Sequence, residues 1–167
     1  GTTQAHTAYA AAKFAVKGFT EALITDLRLH APHVQCSVVM PGHIGTSIME
    51  NSSKVLGKAT GMDLPAEEGA TIRERMLAAG LPVGNVPDDH IRQMLADRAE
   101  AFRTQAPTTA STASTVILDA VRNNQWRVLI GQDAHDLDRL VREAPHEAYE
   151  KSMIEKINEL KHLGGLL

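Results

Sequence analysis

The sequence predicts an α/β fold in which helices pack on parallel strands. A long helical segment leads into a short apolar strand and a Pro-Gly loop near residue 41, and a second helix and strand follow over residues 108–130. Strand character is confined to residues 34–40 and 126–130. Since two parallel strands cannot form a stable covered sheet by themselves, we expect further strands from an absent N-terminal half or from another chain.

The first helix and strand are predicted from their apolar patterns and breakers. A helix that includes Tyr9 continues to Leu29 with apolar side chains along its length, and Pro32 ends it. Residues 34–40 are short, β-branched and apolar, as in a buried strand. Ligands of open parallel sheets bind outside the carboxyl ends of strands, so the loop over residues 41–46 is a candidate binding segment.

Tyr9 and Lys13 form a candidate acid–base pair. Residues four apart on a helix share one face, which can hold an ammonium near a phenol. A phenol titrates near pH ~10 when unperturbed, and a nearby positive charge favours its phenolate form. The pair could therefore serve in general acid–base catalysis, whereas the alternative is a partly buried tyrosine beside a solvated lysine.

Residues 47–107 are predicted to be an insertion. A polar segment over 47–61 is followed by helices over 65–79 and 87–105, which are separated by a Gly- and Pro-rich breaker. The two helices fit either a substrate lid and pocket wall or simple packing.

The last third of the chain is predicted to contain one strand between helices. Hydroxyl side chains over 108–115 favour a helix start, with a low-complexity linker as the alternative. After the strand 126–130 we predict a short helix over 136–143, which Pro145 ends, and an amphipathic helix over 146–162.

Composition excludes several classes of function. The net charge of -3 and the scattered basic residues give no reason to expect binding of nucleic acid. No apolar run is long enough to span a membrane, and the single cysteine, Cys36, excludes an intrachain disulfide, so we expect a cytoplasmic protein. The eight histidines show no metal-binding spacing, and no metal site is predicted.

Together these motifs resemble the short-chain dehydrogenase/reductase family. Tyr9-x-x-x-Lys13, the helix after it, the strand, and Pro41-Gly42-x-Ile44-x-Thr46 occur in the family's order and at its distances. The close resemblance covers Thr3 to Met49, and a looser one covers Thr108 to Pro145. It implies that residues 1–167 are the C-terminal portion of a doubly wound Rossmann-type parallel sheet, with a helical substrate lid at about 47–107.

The resemblance also implies a reaction and its residues. An NAD or NADP cofactor would exchange a hydride with an alcohol or carbonyl substrate, and Tyr9 would transfer the proton. Lys13 would assist the tyrosine and bind the nicotinamide ribose. The residues expected to contact the cofactor are Tyr9, Lys13, Pro41, Gly42, Ile44 and Thr46. His43 would either face the substrate or contribute only its backbone. The family commonly forms dimers and tetramers through paired long helices.

Other features of the family are absent from these 167 residues. They include the glycine-rich nucleotide loop, the residue that distinguishes NAD from NADP, and the catalytic serine and asparagine. We therefore expect the chain to be the C-terminal half of an enzyme, to need the missing N-terminal half, and to be inactive alone. The alternative is a non-catalytic fragment or interaction module derived from the same fold.

Overall fold

The computed structural model describes residues 7–57, 59, 61–78 and 80–160. The described residues form two compact units, one within residues 1–44 and 107–167 and the other within residues 45–106. The first unit is mixed α/β with parallel strands, which confirms the predicted fold class at that level. The second unit is helical.

The α/β unit begins with one long helix. Helix α1 (Thr7–His30) ends two residues before Pro32, and Arg28 places a cation in its last turn, where the helix dipole favours it. α1 contacts the first strand, yet none of its residues is buried. Large apolar side chains of α1 are instead exposed, namely Tyr9, Phe14, Val16, Phe19 and Leu29.

Two parallel strands lie at the centre of the unit. β1 (Val38–Pro41) pairs with β4 (Arg127–Ile130), with Val38 opposite Arg127 and Pro41 opposite Ile130. The prediction that the first strand begins at residue 34 was wrong. The partner strand supplies only four residues, and the Val34 N–H is engaged in a turn with the Ala31 carbonyl at 2.8 Å, so pairing begins at Val38.

The core of the unit lies between β4 and the helix before it. Short strands β2 (Ile44–Gly45) and β3 (Thr108–Thr109) pair with each other, and α5 (Ala110–Arg122) follows. The Thr109 hydroxyl caps α5 by accepting the Thr112 N–H at 3.1 Å. The buried side chains of this core are Ala113, Ala120, Val128 and Ile130, with Ile44, Val116 and Ile117 packed against them.

The last two helices begin elsewhere than predicted. α6 (Gln132–Glu143) begins four residues earlier than expected because Gly131, at φ 93°, turns the chain directly from β4 into the helix. α7 (Lys151–Glu159) begins later, after a 3₁₀ turn over Pro145–Glu147. Met153 and Ile157 of α7 are buried against Leu137, Leu140 and Leu160. Residues 161 and 162 of the predicted helix lie outside the described residues.

The helical unit contains α2 (Ile48–Val55), a 3₁₀ turn (Gly61–Asp63), α3 (Ala66–Ala78) and α4 (Asp88–Thr104). Leu64, Val83 and Ile91 are buried in it. Residues 47–61, predicted as a polar segment, include helix α2. This stretch has no breaker before Gly57, and its charges, Glu50 early and Lys54 late in the helix, suit the helix dipole. The predicted insertion at about 47–107 falls on this unit, and its role as a lid stays a prediction.

Among the described helices, none combines the length and the apolar character that crossing a membrane requires. The described residues also contain no group of three or more His, Cys, Asp and Glu side chains arranged to hold a metal ion.

Candidate active site

Tyr9 and Lys13 are neighbours on the first turns of α1. The Lys13 Nζ lies over the Tyr9 ring, 5.3 Å from its centroid, a geometry in which a cation is attracted to the ring face. The tyrosine is 59% exposed, so more than half of the residue is accessible to another molecule. The spacing of four residues, read from the sequence as one shared helix face, has therefore brought an ammonium against a phenol ring.

The Pro-Gly loop follows β1 at its carboxyl end. Pro41 is the last residue of β1, and the Gly42 N–H donates to the Ile130 carbonyl at 2.9 Å, which ties the start of the loop to the end of β4. Since the two strands are parallel, this edge is where ligands bind in open α/β sheets.

Asp133 holds the middle of this loop, although no role at the site was predicted for it from the sequence. Its Oδ2 accepts the His43 N–H at 2.5 Å, and the residue is only 1% exposed. The signal in the sequence was weak: an acidic residue two positions after a glycine that ends a strand. The favourable interaction of a negative charge with the helix dipole already explains an acidic residue in the first turn of a helix.

The remaining predicted residues lie at different places. His43 and Ile44 are half-buried, and Ile44 packs on the core beneath α5. Thr46 belongs to the helical unit. The predicted contacts of Pro41, Gly42, His43, Ile44 and Thr46 with cofactor or substrate stay predictions.

The helical unit has a cavity of its own, of about 500 Å³. Apolar side chains from its helices share the wall with charged and hydroxyl groups, so the cavity presents both surfaces to a small molecule. The lining residues include Met49, Glu50, Ser53, Leu64, Ile72, Arg75 and Leu95.

Two arginines outside the candidate site have a raised pKa. The hydrogen bond of Arg139 to Asp136, followed by that to Glu143, raises the pKa of Arg139. The hydrogen bond and charge of Glu100 raise the pKa of Arg103. Both guanidiniums are surface groups, and neither shift bears on the chemistry of Tyr9.

Comparison with known proteins supports the resemblance found in the sequence. Residues 2–56, about a third of the chain, match the family described as short chain dehydrogenase. The matched segment contains Tyr9, Lys13, and the loop that follows β1. No curated protein and no solved structure is significantly similar to the chain.

Proposed function

From the relationship of residues 2–56 to the short chain dehydrogenases, which indicates an oxidoreductase, we propose that the protein is an NAD(P)-dependent enzyme that interconverts an alcohol and a carbonyl. The observation that carries this proposal is the Lys13 ammonium over the ring of the exposed Tyr9. A phenol beside a fixed cation and open to solvent is suited to exchanging a proton with a bound substrate.

The lengths of α1 and the following segment support a common site for Tyr9 and the loop. The end of α1 lies beside the residues before β1 and β4, since Leu27, Cys36 and Trp126 line one cavity of about 240 Å³. From Leu27 back to Tyr9 the helix rises about 27 Å. From Cys36 to Gly42 an extended chain spans about 20 Å. A helix antiparallel to the strand would thus carry Tyr9 past the strand's carboxyl end, on the side of the loop that follows it.

The side chains present fit a nicotinamide cofactor. A ribose hydroxyl can accept a hydrogen bond from the Lys13 ammonium. Pro41, an exposed residue, ends β1 where the loop begins. In the proposal, Lys13 binds the ribose and keeps its charge near Tyr9. Pro41, Gly42 and Ile44 would contact the carboxamide side through their backbone, and Thr46 would add its hydroxyl.

The proposed chemistry of this chain is a proton transfer at the Tyr9 hydroxyl. In reduction the hydroxyl donates its proton to the carbonyl oxygen, and in oxidation the phenolate accepts the proton of the alcohol. The nicotinamide, when bound, supplies or accepts the hydride. His43 would face the substrate, and the helical unit, as a lid, would form part of the substrate pocket.

A non-catalytic interaction module derived from the fold is the second candidate. The exposed apolar side chains of α1, among them Phe14, Val16 and Phe19, favour a protein interface on that helix. The same surface supports the proposal of a homodimer or homotetramer. Fluorescence titration of the full-length gene product with NADH and NADPH distinguishes the two functions. An enzyme must bind one of the two cofactors, whereas an interaction module need bind neither.

Tyr9→Phe tests the proposed reaction, and Tyr149→Phe is its matched control. Removing the Tyr9 hydroxyl should lower kcat for carbonyl reduction about 10²- to 10⁴-fold, the usual contribution of a positioned acid, while cofactor affinity stays near that of the unmodified protein. Tyr149, which is 71% exposed and lies before α7, should tolerate the same change. An unchanged kcat in Tyr9→Phe would show that Tyr9 is not the acid.

A further inference from the structure

The Asp133 carboxylate joins two loops that are 90 residues apart in the chain. Its Oδ2 accepts the His43 N–H in the loop after β1, while Asp133 itself lies in the first turn of α6 after β4. The residue is 1% exposed, and its Oδ1 is buried without a hydrogen-bond partner among the described residues. Burying a carboxylate costs free energy unless its oxygens accept hydrogen bonds. The hydrogen bond from the His43 N–H therefore offsets part of that cost.

Two glycines leave the space that this carboxylate occupies. A Cβ at Gly42 would lie 2.1 Å from Asp133 Oδ1, and a Cβ at Gly131 would lie 2.4 Å from the same atom. Gly131 also has φ 93°, a conformation that residues with a side chain rarely adopt. Any larger residue at either position would displace the carboxylate, so the two loops are built around it.

The position of Asp133 at the start of α6 adds a favourable field. The unpaired N–H groups and the dipole of a helix stabilise negative charge at its first turn. The carboxylate is thus stabilised from the side of α6 and presents Oδ2 to the backbone of the other loop. A rigid helix end on the core strand β4 thereby fixes the backbone at His43.

We propose that Asp133 is a positioning residue for the nicotinamide end of the cofactor, which it serves by fixing the loop from Pro41 to Gly45 through the His43 amide. The inference rests on the proposed function, because that loop is the one assigned to the nicotinamide. It also gives Gly42 a second reason to be glycine: the carboxylate occupies the place of its side chain.

Hydrogen exchange at the His43 amide tests the anchoring without any cofactor. In the full-length gene product, Asp133→Ala should raise the exchange rate of this amide about tenfold to a hundredfold, the range for losing a hydrogen bond to a charged group. Asp133→Asn, which keeps a neutral acceptor, should raise it less. Asp136→Ala and Asp136→Asn, on the same helix, should leave it unchanged. An unaltered rate at His43 in both Asp133 variants overturns the proposal, and Asp133→Asn decides alone if Asp133→Ala does not fold.

Affinity for whole and truncated cofactor tests the positioning. With NADH or NADPH, whichever the unmodified protein binds, Asp133→Asn and Asp133→Ala should weaken binding by about tenfold or more. Affinity for the matching compound without nicotinamide, ADP-ribose or its 2′-phosphate, should change less than about twofold, since a loop at the nicotinamide does not touch that part. Equal weakening of both ligands would reduce Asp133 to a structural residue and overturn the proposal. Failure of the unmodified protein to bind either dinucleotide would refute the proposed function instead.

Discussion

At the scale of single residues, two lysines on one helix have different partners. Lys13 lies over the Tyr9 ring, whereas Lys17, one turn later, is paired with Glu21 at 2.7 Å. The Lys17 pair is of the i,i+4 kind that stabilises a helix by only about 0.2–0.5 kcal/mol. The same residue type thus stands at a candidate catalytic position and at an ordinary surface position, which makes Lys17 an internal control.

Replacing Lys13 by methionine should weaken both cofactor binding and turnover. The substitution keeps the length of the side chain but removes the charge beside Tyr9 and the donor proposed for the ribose. We expect KM for the cofactor to rise and kcat to fall, each by about tenfold or more, as for the loss of a charged hydrogen bond. Steady-state kinetics of Lys13→Met and Lys17→Met give the comparison. Equal kinetics of the two variants would contradict the assignment of Lys13.

Gly42 and Gly18 should respond to alanine in opposite directions. A Cβ at Gly42 would lie 2.1 Å from the Asp133 carboxylate, whereas a Cβ at Gly18, inside α1, meets no described atom within 4 Å beyond its chain neighbours and its own helix backbone. Gly42→Ala should therefore destabilise the protein by about 1–3 kcal/mol through overpacking. Gly18→Ala should stabilise it by about 0.8–1 kcal/mol, since alanine favours the helix. Urea denaturation of the full-length gene product measures both changes, and a stabilising Gly42→Ala would show that the carboxylate moves aside without cost.

At the scale of secondary-structure elements, β4 and α6 are joined by a half-buried ion pair. Arg127 on β4 donates to Asp138 on α6, and their side chains are only 19% and 25% exposed. Arg142 donates to the other Asp138 oxygen at 3.0 Å, so one carboxylate binds two guanidiniums. Arg122 and Asp119 on α5 also form an arginine–aspartate pair, but their side chains are 70% and 55% exposed.

Asp138→Ala should therefore destabilise the protein more than Asp119→Ala. The first change leaves the Arg127 guanidinium largely buried without its carboxylate, which we expect to cost about 1–3 kcal/mol. The second removes a solvent-exposed pair and should cost at most about 1 kcal/mol. Chemical denaturation of both variants gives the difference in free energy of unfolding. Equal values would mean that water replaces Asp138 at the Arg127 guanidinium.

Local patterns predicted most of the long helices and the two main strands, but not helix α2, the short strands β2 and β3, or where strand pairing begins. The helices over 65–79 and 87–105 were found within two residues of their described bounds, because Pro and acidic residues mark their starts. The start of β1 was missed because it depends on the length of β4, almost ninety residues away. An apolar run shows that a segment can be buried, but the partner strand decides how much of it pairs.

The candidate site was likewise predicted from the sequence only in part. Tyr9 and Lys13 are four residues apart, so helical periodicity alone predicted that they meet. Asp133 and His43 are 90 residues apart, and no periodicity connects them. The carboxylate reaches the loop only because β1 and β4 pair in register and two glycines leave room for it. Contacts of that kind follow from the tertiary fold and not from local sequence.

At the scale of the whole molecule, each of the two units buries apolar side chains among its described residues. The α/β unit is centred on Val128 and Ile130, whereas the helical unit buries Leu64, Val83 and Ile91. The helical unit is continuous in sequence, from Gly45 to Ala106, and the chain returns to the α/β unit after it. This continuity is what the predicted insertion at about 47–107 requires, and the insertion itself stays a prediction.

Excising residues 47–106 should therefore separate cofactor binding from substrate binding. Strands β2 and β3, on either side of residues 47–106, pair with each other. Because paired strands lie about 5 Å apart, a short Gly-Ser linker can join the two chain ends left by the excision. If the helical unit is a substrate lid, the gene product that lacks only residues 47–106 should keep its cofactor affinity. The linker begins after Thr46, so that the contact proposed for the Thr46 hydroxyl is retained. Its kcat/KM for the carbonyl substrate should fall by about tenfold or more, because the closing wall of the site is lost. Fluorescence titration and steady-state kinetics measure the two quantities, with circular dichroism as the control for folding. An unchanged kcat/KM would assign residues 47–106 to packing alone.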